Sequence, residues 1–258
     1  MKIAVCLYGQ YRTGDYCLPW IRKQYAFADA DYFIHTKVSS TYPNTEVEEP
    51  LRYVYPEDVH RSIRNELGLL VKTCRILSVG EEKQTPDRGH WHYAPMFSSM
   101  QHAVYAALGA YATTPYDLII AQRLDMLVGP FVESVAEAAK NYTRPHTVFT
   151  VNPEMRFMNE GMQAGIHDVF LAGTPAAMNL LVAGTLEATA FPRTTDWQRY
   201  LFEGPNVFLR KAAATAGLHV GHARVGFALV RPNADLSRPA LESYAYHEKF
   251  WSTNHRRL

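Results

Sequence analysis

Apolar and polar positions fall into blocks along this chain, and the blocks differ in period. KIAVCLY at 2–8 is a nearly unbroken apolar run ended by Gly9, the pattern of a strand buried on both faces. A helix is predicted from Asp15, an N-cap residue type, to about Ala28, with Ile21 and Tyr25 four apart on one face. DYFIHT at 31–36 reads as a second strand, and SSTYPNTEVEEP at 39–50 as a loop. Pro56 suits the first turn of a helix in which Val59, Ile63 and Leu67 recur at helical spacing before Gly68 ends it. VKTCRILSV at 71–79 is a third strand, followed by a polar loop of unusual length at 80–93.

The same reading continues through the second half. Residues 95–112 form a long helix, and DLIIA, ending at Ala121, is a buried strand that runs directly into Arg123-Leu124-Asp125. A helix is expected over 129–142, strands over 146–151 and 168–173, and an alanine-rich helix over 174–189. A helix at 204–217 and a strand at 225–232 precede a weakly patterned tail. His219 and His222 flank a further predicted strand. The Met and Ala positions at 96–112 and 175–188 are core-facing helix stripes. No repeat, heptad array or low-complexity tract interrupts the alternation. Strands alternating with helices predict an α/β fold with a mainly parallel sheet flanked by helices, Rossmann-like in outline, as a single domain over 1–258.

Composition narrows the class without naming it. The chain is 47% hydrophobic and 20% charged, ordinary for a protein that buries a core. Its 26 basic and 25 acidic residues balance to +1, so bulk charge makes no case for a protein that coats nucleic acid. Cys6, Cys17 and Cys74 are odd in number and lack metal-site spacing, which reads as free thiols in a reducing compartment. Neither a signal peptide nor a run of about 18 apolar residues is visible, so a cytoplasmic protein with no membrane span is expected.

In parallel α/β sheets ligands gather at the carboxyl ends of the strands. The polar residues here collect at those positions: Gly9, Gln10 and Arg12 after the first strand, His35 and Thr36 ending the second, Arg123 and Asp125 after the fourth. The first turn reads YGQYRTG rather than G-x-G-x-x-G, and no Walker loop occurs, so the phosphate signatures of a dehydrogenase or P-loop kinase are missing. A nucleotide-sugar transferase needs neither, because arginines, backbone amides and a divalent ion can hold its diphosphate.

Taken together, IAVCLYGQYR, DYFIHT, MFSSMQHAVYA, YDLIIAQRLDML and HDVFLAG resemble single-domain glycosyltransferases of the GT-A fold from bacterial polysaccharide clusters and large viruses. The resemblance runs in order over about the first 175 residues. It implies a nucleoside-diphosphate sugar donor, bound mainly by residues 1–130, and a hydroxyl acceptor, a glycan or a modified nucleic acid, on the side of 131–258. It also implies a D-x-D at the strand exit that binds Mn²⁺ or Mg²⁺ and the diphosphate. Here that motif reads Arg123-Leu124-Asp125, so Asp125 is the one carboxylate available to the metal, and Arg123 can in part replace the ion on the phosphates. The alternative for the pair is a salt bridge or turn cap.

Arg12 is a second donor-binding candidate, against a plain helix-start arginine. Asp168 and Glu203 are candidates for the base that deprotonates the acceptor, with Asp196 a third; acids near helix starts are also common for purely structural reasons. His90 and His92 lack a third ligand at zinc spacing, and His247 is a candidate late metal ligand. Two other readings remain: a nucleotide-sugar-binding module without catalysis, and a nucleotidyltransferase on a similar sheet.

Overall fold

The computed structural model describes residues 1–11, 13–38, 55–78, 94–128, 132–141, 146–151, 169–190, 205–223, 227–231 and 240–243. β1 (Lys2–Gln10), β2 (Asp29–Lys37) and β3 (Val71–Leu77) lie side by side and parallel, joined through α1 (Gly14–Gln24) and α2 (Pro56–Leu67). The chain then crosses back through α3 (Ala94–Tyr111) and lays β4 (Leu118–Arg123) on the other flank of β1, again parallel. After β5 (Met126–Val128) and α4 (Val132–Asn141) come β6 (Thr147–Val151), β7 (Phe170–Gly173), α5 (Pro175–Ala190), α6 (Pro205–Thr215) and β8 (His219–Ala223).

The result is one seven-stranded sheet in the order β3-β2-β1-β4-β7-β6-β8. It is parallel except at β7, which runs antiparallel to both β4 and β6. A small sheet of β5 with β9 (Phe227–Arg231) and β10 (Ala240–Ser243) sits beside it. Both predicted halves of the chain contribute strands to the large sheet.

The period-2 pattern of each strand sorts its side chains onto two cores. Ile3, Val5 and Leu7 face α1 and α2, packing with Cys17, Leu18, Ile21, Val59 and Ile63. Ala4, Cys6 and Tyr8 face α3, packing with Phe97, Met100 and Val104. β4 is apolar from Leu118 to Ala121 because both layers cover it, Ile120 from one side and Ile119 from the other.

Several boundaries moved from their predicted places. α1 begins after Thr13, with Asp15 inside the first turn rather than capping it, and ends at Gln24 instead of Ala28. The chain turns over Tyr25–Ala28 because Asp29, bonded to the carbonyl of Met1, must already start β2. Pro19 sits inside α1, where it removes one ladder hydrogen bond. The buried face of Cys17, Leu18 and Ile21 holds the helix together across it. β6 starts one residue late because His146 adopts φ 59, and β8 contains His219 and His222 instead of being flanked by them. Gly68 closes α2 as expected, at φ 55.

Candidate functional site

The strand order changes direction at β1: β2 and β3 step away on one side, β4 begins the other. That is the switch point at which open α/β sheets hold ligands, outside the carboxyl ends. Register places the predicted residues there. Tyr8 pairs with His35 on one flank and Arg123 on the other, and Gly9 pairs with Thr36. Three neighbouring strands about 4.8 Å apart thus bring Gly9, Gln10, His35, Thr36 and Arg123 to one edge.

Two glycines shape the end of β1 and the start of α1. Gly9 has φ +99, a conformation that side chains with a Cβ adopt at a cost. A Cβ on Gly14 would lie 2.2 Å from the Tyr11 ring. Tyr11 is fully buried and its hydroxyl donates to Ser62 Oγ at 2.7 Å, so the ring has nowhere to go. Thr36 is buried outright and donates its hydroxyl to the Gly9 carbonyl at 2.8 Å. It therefore fixes the end of β1 instead of facing a ligand.

Arg123 and Asp125 form a closed fork. Arg123 Nε donates to Asp125 Oδ1 at 3.0 Å and Nη2 to Oδ2 at 2.9 Å. The backbone between them is held on both sides, Arg123 N–H on the Val169 carbonyl at 3.1 Å and Leu124 N–H on that of Tyr8 at 3.0 Å. The carboxylate side chain is 1% exposed while the guanidinium side chain is 18% exposed, so the cation is the outward member of the pair. Asp125 also lies close to the first turn of α1. Burial pushes the Cys17 thiol far up, a bond with Thr13 opposes this, and the Asp125 charge adds to the rise.

This arrangement bears directly on a divalent ion. Both oxygens of Asp125 are engaged by the guanidinium, and no group of three or more metal-ligating side chains occurs among the described residues. An ion seated on Asp125 would compete with two charge-assisted bonds for its oxygens and would face the arginine cation, which offsets part of the carboxylate's attraction for it. Asp125 as it stands does not fit a metal ligand.

His35 is a second feature of the edge. Its ring stacks on that of His102 in α3, centroids 4.6 Å apart, and its Nδ1 is buried without a hydrogen-bond partner. His102 donates from Nδ1 to the Ser98 carbonyl at 2.7 Å. Burial, then the neighbouring His102 and Arg75, lower the His35 pKa to about 4, so it is neutral at pH 7. His102 and Val169 were not among the sequence candidates. Their proximity arises from helix packing and from an antiparallel strand pairing, neither of which leaves a local signal.

Arg12, Asp168 and Glu203 lie outside the described residues, as do Asp196, His90, His92 and His247. Fold and edge together define a class: an α/β sheet with its polar side chains gathered at the switch point. No helix among the described residues is long and apolar enough to cross a membrane.

No protein-family model matches the chain, and no curated protein matches it in sequence. Solved structures it is similar to include mannose-1-phosphate geranyltransferase from Thermus thermophilus, at 12% identity and TM-score 0.39 over 88% of this chain and 76% of that one. Another is galactosyltransferase LgtC in complex with donor and acceptor sugar analogues, at 9% identity and TM-score 0.45 over 86% and 73%. Likeness of this size carries no argument about what this chain binds.

Proposed function

We propose that this chain is a GT-A-like glycosyltransferase that moves a sugar from a nucleoside-diphosphate donor to a hydroxyl acceptor. The observation that carries the reading is the convergence of Gly9, Gln10, His35 and the Arg123–Asp125 fork at the carboxyl edge of β1, β2 and β4. A diphosphate leaving group gathers negative charge as the glycosidic bond breaks, and a fixed guanidinium is the group best suited to receive it. Gly9, at positive φ near the end of β1 and without a Cβ, would give the donor close access to backbone. Arg12 would add a second cation to the donor, and Asp168 or Glu203 would take the proton of the acceptor hydroxyl.

The test is the identity of the released product. With a panel of nucleotide sugars and glycan acceptors, a glycosyltransferase releases nucleoside diphosphate, and one of Asp168→Asn and Glu203→Gln slows turnover by about 10²–10⁴-fold. Release of pyrophosphate from a nucleoside triphosphate and a sugar phosphate would mark a nucleotidyltransferase instead. Donor binding without turnover would mark a binding module.

A further inference from the structure

We propose that the donor diphosphate is held without a divalent cation, by Arg123 oriented on a buried Asp125. The inference rests on the donor-site reading above and specifies how that site manages charge. A D-x-D site works by leaving carboxylate oxygens open to an ion, which bridges to the phosphates. At this strand exit the first acid is replaced by Arg123, and the oxygens of the remaining acid are both bonded to that arginine. The pair is neutral as a unit, and its more exposed member, the guanidinium, is the one that would offer its donors to the phosphates.

The geometry is that of a positioned group. Two parallel N–H···O bonds define the guanidinium plane, and the backbone of Arg123 and Leu124 is tied to Val169 and Tyr8 on either side. Asp125, 1% exposed, is a positioning residue that acts through Arg123. A planar, oriented guanidinium differs in this from lysine, whose ammonium is a point charge on a flexible stem.

The test is a calorimetric titration of nucleoside diphosphates into the whole protein, once with EDTA and once with Mn²⁺. Equal affinity within about threefold in both buffers is expected, with at least a tenfold loss in Arg123→Gln under both. Arg123→Lys retains a cation for Asp125 and guards against simple unfolding; it is expected to melt near the parent temperature yet still bind at least severalfold more weakly. Asp125→Asn is expected to weaken binding equally with and without Mn²⁺. Binding that requires Mn²⁺ and loses that requirement in Asp125→Asn would overturn the metal-free inference and leave the donor site standing. No binding of any nucleoside diphosphate in either buffer would overturn the donor-site reading itself.

Discussion

Gly9 and His35 lie one register step apart on adjacent strands and show two ways a single residue sets conditions at this edge. At Gly9, φ +99 leaves open space around a hypothetical Cβ, so substitution is penalised by backbone strain alone. Gly9→Ala should therefore cost about 1–3 kcal/mol, read from the shift of a denaturant midpoint. At His35 the penalty is electrostatic and depends on pH. A base whose folded pKa, here about 4, lies below its ordinary 6.5 takes up its proton more readily in the unfolded chain. Stability contributed by neutral His35 is present above pH 6.5 and is lost as pH falls towards 4, by roughly 2–4 kcal/mol. Melting temperatures of the parent protein and His35→Gln, compared from pH 7 to 4, should diverge in slope. Parallel curves would refute this account of the buried imidazole.

Among the elements, α5 and α6 show tertiary contact overriding local preference. Gly184 lies inside α5, where alanine is intrinsically better by about 1 kcal/mol. A Cβ at Gly184 would stand 2.8 Å from the Ala212 carbonyl oxygen in α6, a backbone atom that cannot swing aside. The clash should win: Gly184→Ala is expected to destabilise by about 1–3 kcal/mol despite its better propensity, and urea denaturation measures the sign. The glycine was visible in the sequence, but nothing local says that a second helix crosses at that point. The same holds for Gly221, whose neighbour across the β6–β8 pair is the Phe149 ring.

For the molecule as a whole, the sheet is the shared wall of two cores. Ile120 is fully buried on the α1 and α2 side and Leu181 on the α3 and α5 side. Ile120→Ala and Leu181→Ala should each cost about 2–5 kcal/mol, and both should lower one common unfolding transition in calorimetry. Two separated transitions, one sensitive to each variant, would show that the layers fold independently and that the single-domain expectation fails.

The sequence by itself determined the longer elements and the two-sided burial of β1 and β4, because strand and helix periods are written in consecutive residues; the short β5 and β10 carry too few residues to show a period and were not predicted. It also placed a polar residue at the exit of each of three strands. Only the tertiary structure decided which strands became neighbours: β4 beside β1, and β7 reversed between β4 and β6. Strand order and direction depend on how far each connection travels over the sheet, which leaves no local pattern. The same distance in sequence hid the His35–His102 stack, 67 positions apart. The state of Arg123 and Asp125 was undecided for a different reason. Two residues apart, they could face a ligand, an ion or each other, and the choice was made by a turn pinned to Tyr8 and Val169 that buries the acid and leaves the arginine partly exposed.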